Sequence, residues 1–554
     1  MEVVVYAVIL IAYFAVMIFV GVKSRKSATS VQGFVLGGRN AGPWLSAFAY
    51  GTSYFSAVIF IGYAGQFGWQ FGVAATWIGI GNAVLGSLLA WAVLGRRTRI
   101  MAQRLDSATM PDFFGKRFGD GRLRIAASVI IFIFLIPYTA SLYKGLGSLF
   151  ASAFDIPYAV CIVIMAVVTA VYVLIGGYMA TAWNDFIQGL IMLFGIVAVV
   201  VAVLSNVGGL DAALTELSQI PASGSEQLGA FTSFFGPDLY GLVMVILLTS
   251  LGTWGLPQMV QKFYAIKSES SIKKGMIIST LFALIVAGGC YFLGGFGRLF
   301  TNGDTSPAFD EIIPTMLQES NLHVLLFAVV LVLVVSASMS TLSSLVMSSS
   351  STITLDLING CRKKEMTPRA QMISIRSFIA LFIVLSAVIA IIYEEFKLSF
   401  IAQMMGVSWG ALAGAFLAPY LYSLFWKRTT KASCWACFGF GVAMSIAALV
   451  ISLIGADRLP EAFVQSPIYT HFFSSSIFVG AWTMIIGFAI VPIVSLLTKR
   501  PDDSLTEGLF SAFKSAEEAI EEGADKYLNR PRNDDVEDVA AAEPEKRAGD
   551  NGDD

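Results

Sequence analysis

The chain has 554 residues, of which 56% are hydrophobic and only 13% charged, and its mean hydropathy is +0.73. Soluble proteins carry about twice that charged fraction, so a water-soluble enzyme or binding domain is excluded and a membrane protein is expected. Net charge is −2, but residues 501–554 hold 17 acidic against 6 basic residues and the rest carries +9, which fits a basic-looped membrane body with an acidic tail rather than a nucleic-acid binder.

Apolar runs long enough to cross a bilayer recur from the start. We place thirteen spans at approximately 3–22, 43–66, 72–94, 124–149, 157–176, 182–205, 238–260, 275–297, 322–355, 372–393, 398–426, 434–454 and 472–497. The first run lacks a basic leader and is followed by Lys23, Arg25 and Lys26, so it reads as a span rather than a cleaved signal. Loop charges alternate along the chain. One set carries Arg96, Arg97, Arg99, Lys116, Arg117, Lys262, Lys267, Arg362, Lys363, Lys427 and Arg428; the other offers Arg298, Lys397 and Arg458. Positive charge marks the cytoplasmic side, so the N-terminus is expected outside and the C-terminus inside a plasma (inner) membrane. In the tail, Leu505, Leu509, Phe513, Ala516, Ile520 and Tyr527 recur at helical spacing, and disorder is expected beyond Asn529.

The second span is rich in small and polar residues near its middle, S-A-F-A-Y-G-T-S-Y-F-S-A at 46–57. That is the pattern of a discontinuous membrane helix. Its counterpart five spans later is T-S-L-G-T-W-G-L-P-Q at 249–258. A pair of interrupted segments in corresponding halves points to a transporter site at the bilayer midplane. Asp185 stands inside the sixth span, where acids are rare and usually functional; helix capping is the bland alternative. Lys144 lies in the outer third of the fourth span, and snorkelling to the interface is favoured over a role in binding an anion. The ninth span ends in S-A-S-M-S-T-L-S-S-L-V-M-S-S-S-S-T at 336–352. Ser340, Ser343, Ser344 and Met347 share one helical face. Oxygen ligands without a carboxylate cluster suit a hard, weakly charged cation such as sodium, whereas a close-packed small-residue interface is the alternative.

Other chemistries have little support. Cys434 and Cys437 form a C-x-x-C, but no second ligand pair exists for zinc. His323 and His471 have no triad or metal partner near them in sequence. An intramembrane enzyme would need a nucleophile–base pair, and Asp185 has no evident second acid; no enzyme activity and no organic cofactor are expected.

Five motifs in order resemble the sodium:solute symporter family, the group of the bacterial sodium/proline carriers and the sodium/glucose cotransporters. They are G-G-R-N-A-G-P at 37–43, L-D-S-A-T-M-P-D-F-F-G-K-R-F at 105–118, G-G-Y-M-A-T-A-W-N-D-F-I-Q-G at 176–189, A-S-M-S-T-L-S-S at 337–344 and F-W-K-R-T-T at 425–430. The resemblance covers most of residues 1–500. It implies an all-α membrane protein with a core of two inverted five-helix repeats whose first and sixth core helices are broken. Residues 1–42 would be an extra helix and loop, 43–205 the first repeat, 206–237 an external loop, 238–426 the second repeat, 427–500 two added helices and 501–554 the cytoplasmic tail.

It also implies a main sodium site made by the carbonyls of Thr52, Phe55 and Ala337 with the hydroxyls of Ser340 and Thr341. A second sodium site would use Asp185, Ser340, Ser343 and Ser344, giving two coupling ions per cycle. That second site is reinforced by the expectation that no Lys or Arg of the core spans reaches Asp185. Solute would bind at Ser53, Tyr54, Ser56, Tyr138, Thr249, Thr253, Trp254 and Pro257. Tyr54, Thr249 and Thr253 stand where the proline carrier has an aspartate, a tryptophan and a tyrosine, while its proline is kept as Pro257. The expected partners are sodium, the lipid bilayer and a small organic solute, an amino acid such as proline or a carboxylate. A sodium/sugar carrier, or a solute sensor on the same fold, is the alternative; the short acidic tail leaves no room for a signalling kinase domain.

Overall fold

A computed structural model describes residues 2–222, 228–301, 308–362, 364–396, 401–502, 506, 508–511 and 513. Lys363, Lys397, Leu505, Ala516, Ile520, Tyr527 and everything beyond Asn529 fall outside the described residues. The fold is helical. Its elements are α1 (Glu2–Ser24), α2 (Pro43–Tyr54), α3 (Val58–Arg104), α4 (Gly121–Phe154), α5 (Tyr158–Asn206), α6 (Leu239–Leu251), α7 (Pro257–Tyr264), α8 (Glu269–Gly294), α9 (Val324–Thr352), α10 (Pro368–Phe396), α11 (Ile401–Phe425), α12 (Lys431–Ile454) and α13 (Ser476–Leu497).

Two elements are too long to be single spans. At 1.5 Å per residue, the 49 residues of α5 would reach roughly 70 Å, more than twice a bilayer core. It folds back at Gly177, where φ is +58° and ψ −160°, and where a Cβ would sit 2.9 Å from the Phe34 ring. Only glycine meets both demands cheaply. The sequence places a loop at 177–181; the chain instead turns on that one residue and re-enters the helix directly. The 47 residues of α3 turn in the same way at Gly72.

Both expected breaks are present. α2 ends at Tyr54, Phe55 is extended (φ −97°, ψ 101°), and the chain resumes as a π-helical turn at Val58–Tyr63. Wide turns of this kind concentrate at functional sites. In the second half, α6 leads through a tight turn to the extended Leu256, and α7 starts on Pro257, bent by 49° from what precedes it. Proline suits a first helical position because no N–H is needed there.

Burial sorts the helices. Only 22% of the apolar window of α1 is covered by protein, against 78% for α9 and 94% for α11. α9 and α11 therefore run through the middle of the bundle, and the serine-rich run of α9 faces protein, not lipid. Close crossings are built from small residues: a Cβ on Gly68 would lie 2.1 Å from the Gly294 backbone. Backbone approach of this kind replaces the hydrophobic driving force that lipid removes.

Candidate cation and solute site

The break after α2 lies against the middle of α9. The Ser340 hydroxyl donates to the Thr52 carbonyl at 3.0 Å and to the Ala337 carbonyl at 3.1 Å. The Thr341 hydroxyl reaches the same two carbonyls at 3.1 and 3.2 Å, and the Ser53 carbonyl at 3.4 Å. All are buried. Phe55 and Ala337 line one small cavity with Ser56, Ile59 and Leu333. Thus Thr52, Ala337, Ser340 and Thr341 converge in one cluster, with Phe55 beside it. Every polar atom in the cluster is a neutral oxygen. When the hydroxyls turn their lone pairs inward, such a group holds a small monovalent cation without the charge that would draw in calcium or magnesium.

The second proposed set is not an isolated carboxylate. Asp185 lies two turns into the helix that restarts after Gly177, so it is not a helix cap. Its side chain is fully buried, and the Lys262 ammonium lies 3.5 Å from its Oδ2. Lys262 also donates to the Ser344 hydroxyl at 2.9 Å, and Ser344 shares a 2.7 Å hydrogen bond with Ser53. Ser343 turns back instead and donates to the Ser340 carbonyl at 2.9 Å. The expectation that no core cation reaches Asp185 is therefore overturned. Lys262 reads as a loop charge in the sequence. α7, however, carries it inward on the same face as Met259 and Phe263, both 1% exposed. Spacing of i, i+3 and i+4 with two apolar residues is the signal that marks it.

The residues expected to bind solute divide into two groups. Thr249 and Trp254 tie the second break to α3: the Thr249 hydroxyl donates to the Asn82 side-chain oxygen at 3.0 Å, and the Trp254 indole to the Leu85 carbonyl at 3.0 Å. Thr253 donates to the Ser250 carbonyl and Pro257 starts α7. Tyr54 donates to the Thr249 carbonyl and its ring stacks on Phe55. It thereby links the two breaks. Ser53 belongs with Ser344.

Ser56 and Tyr138 differ from these. Both hydroxyls are buried, and the Tyr138 hydroxyl lies against Ser56 and the Trp409 indole nitrogen, though among the described residues none of the three makes a well-aligned hydrogen bond. The Trp409 ring packs edge-on to Tyr138 at 5.8 Å and tilted to Tyr54 at 6.3 Å. Buried polar groups are costly unless hydrogen-bonded, so these three either satisfy one another or are completed by a ligand. Asn82 and Trp409 escape sequence reasoning because each sits in an ordinary apolar span and acquires its role only from a helix far away in the chain.

Lys144 does not simply snorkel. Its ammonium lies 3.3 Å from Asp310 and 3.8 Å from Glu394. Asp310, in the long loop before α9, also accepts the Ile401 N–H at the start of α11. Burial pushes the Asp310 carboxyl above the usual carboxylate range, with Lys144 opposing the shift. Among the described residues, no cluster of three or more His, Cys, Asp or Glu could hold a metal ion, and Cys434 and Cys437 are buried free thiols.

A family model described as the sodium:solute symporter family matches residues 34–441. The osmoregulated proline transporter OpuE of Bacillus subtilis is 28% identical over 498 residues, covering 88% of this chain and 94% of its own. Sodium/proline symporter 2 of Staphylococcus saprophyticus is 28% identical over 483 residues, covering 84% and 92%. A sodium-coupled sialic acid symporter, solved in a substrate-bound outward-open state, superposes with a TM-score of 0.67 at 18% identity, over 90% of this chain and 98% of that one.

Proposed function

Because the chain belongs to the sodium:solute symporter family and is a sodium-coupled membrane symporter, we propose that it imports a small amino acid, with proline or a close analogue favoured, by alternating access at the two helix breaks. The observation that carries this is the oxygen cluster of Thr52, Ala337, Ser340 and Thr341, formed where α2 is interrupted. With the Phe55 carbonyl it constitutes the main sodium site. Its ligands come from α2 and α9, which belong to different inverted repeats (43–205 and 238–426). An ion between them therefore binds one relative arrangement better than others, and so biases the conformational equilibrium.

Solute lies beside Ser56, Tyr138 and Trp409, a buried polar group whose poorly aligned donors it would engage. The relatives that are proline transporters favour proline, while Tyr54, Thr249 and Thr253 already bond within the protein. A sugar carrier has no comparable support: the sialic acid symporter shares the fold alone at 18% identity. The basic loops support an orientation with the N-terminus outside and the C-terminus in the cytoplasm. One sodium ion entering down 100 mV and a tenfold gradient releases about 3.7 kcal/mol, enough for roughly 500-fold accumulation of a neutral solute.

The test is uptake of radiolabelled proline and other amino acids into proteoliposomes, with sodium or choline outside. Sodium-dependent, electrogenic uptake is expected, and uptake unchanged in choline would refute the proposal. Ser340→Ala and Thr341→Ala should each raise the sodium concentration for half-maximal uptake by about tenfold, the worth of one hydrogen-bonding ligand to a charge. Equal sodium dependence in both variants would move the site elsewhere.

A further inference from the structure

We propose that the Lys262 ammonium is the resident cation of the Asp185 pocket, so that the protein carries its second coupling cation as a tethered side chain and binds one sodium ion per chain. The inference rests on the sodium-coupled reading above and fixes the ion count of that site.

The geometry is that of a cation site already filled. Three elements surround the ammonium: α5 with Asp185 at 3.5 Å and the Tyr178 ring centroid at 5.3 Å, α9 with Ser344 at 2.9 Å, and α2 with Ser53, which reaches it through Ser344 at 2.7 Å. Lys262 is 4% exposed and Asp185 fully buried. A carboxylate, a hydroxyl and an aromatic face make a reasonable shell for a monovalent cation, and a primary ammonium fills it with three donors.

Among the described residues, Lys262 is the one cation within ion-pair distance of Asp185. One negative and one positive charge leave the pocket neutral. A sodium ion added beside them would put an uncompensated charge in the membrane interior, which the surroundings disfavour strongly. The tethered ammonium therefore excludes a free ion.

It also touches the main site. Ser344 bonds Ser53, whose carbonyl accepts from Thr341. Movement of α7 would thus be felt at the sodium cluster through three hydrogen bonds.

The experiment is equilibrium binding of ²²Na⁺ to the purified full chain, which needs no knowledge of the solute. Wild type should saturate near one sodium per chain. Lys262→Met keeps the length and removes the charge; it should saturate near two, with Asp185 and Ser344 ligating the added ion. Lys262→Met/Asp185→Asn, which removes both charges, should return to one. Wild type binding two ions overturns the proposal without any variant, as does a folded Lys262→Met that stays at one. If Lys262→Met fails to fold, Asp185→Asn decides: the proposal expects one ion still bound, whereas loss of sodium binding in that variant overturns it by making the carboxylate part of the sodium site. Wild type binding no sodium at all would instead remove the sodium-coupled reading on which the count rests.

Discussion

The two ends of the bundle are closed by different means. At the end bearing the basic loops, Arg124 joins three strands of contact: Asp356 at 2.8 Å, Asp112 at 3.5 Å and the Leu355 carbonyl at 2.7 Å. Thr109 donates to Asp356 at 2.5 Å and Lys116 pairs with Asp112 at 2.8 Å. Arg99 bonds the Ile266 and Lys267 carbonyls, and Arg39 bonds the Ser107 carbonyl. The opposite end has the cluster of Lys144, Asp310 and Glu394, with contacts of 3.3 and 3.8 Å, and separately Arg298, which donates to the Trp69 carbonyl at 2.8 Å between the Trp69 and Phe231 rings. A network of shared partners resists opening more than separate small clusters do, because breaking one contact leaves the others in place. In the alternating-access reading proposed above each end releases in turn, and the Arg124 network is a barrier that opening of the basic end would have to overcome.

The largest effect should come from Arg124→Ala. Asp356 is fully buried, and the variant takes away the cation that faces it. Breaking a buried pair from one side costs about 3–5 kcal/mol. The purified variant should melt well below wild type, and adding Asp356→Asn should recover much of the loss. A cysteine introduced near Thr109 should also label faster in Arg124→Ala. Unchanged melting would mean the network is ornamental and the two ends are equally weak.

Asp310→Asn tests the other end and its pH dependence. Because burial holds the Asp310 carboxyl above its ordinary range, the folded protein binds a proton more tightly than the unfolded chain does. Its contribution to stability is present at low pH and is lost as pH rises through the folded value. Wild type should thus lose some thermal stability between about pH 4 and the raised value, with Lys144 limiting the loss. The asparagine variant should show a flatter profile across that window and weaker closure of this end, read as faster labelling of a cysteine placed near Ile401. A profile identical to wild type would assign the slope to another group.

The contrast between what was and was not legible in the sequence follows the same physics. Helix breaks are local: Gly, Ser and Pro within ten residues announce them, and both lie where they are expected. The hydroxyl face of α9 is likewise a matter of helical period. What the sequence conceals is pairing across the chain. Lys262 and Asp185 are 77 residues apart, and Lys144 meets Asp310 from 166 residues away. A lysine seven residues past a Gly-Thr-Trp-Gly break looks like a loop charge until α7 is known to carry it inward. Trp409 is hidden more thoroughly, since an apolar span gives no sign that its indole nitrogen ends in a buried polar group with Tyr138.

The smallest effect should come from the tail, which adds a third closure at the basic end. Two of the six residues read as an amphipathic helix, Leu509 and Phe513, are buried among the described residues. The Arg97 guanidinium lies 4.7 Å from the Phe513 ring and 4.3 Å from the Phe425 ring, while Arg117 and Lys427 face Phe510 at 5.4 and 5.8 Å. Arg97 also bonds the Leu424 carbonyl, so the tail is held to residues that already belong to the helix α11 and the loop after it. A cation over an aromatic face at such a site is worth about 0.5–1 kcal/mol, and losing the ring adds about 1–2 kcal/mol of lost burial. Phe513→Ala should therefore shift docking of the tail by roughly tenfold or a little more, seen as faster proteolysis after residue 500. Sodium-dependent uptake should change little, because Arg97 keeps its carbonyl and the Arg124 network is untouched. If cleavage is unchanged, the tail is held by Leu509 rather than by the cation–ring contacts, and Leu509→Ala should release it instead.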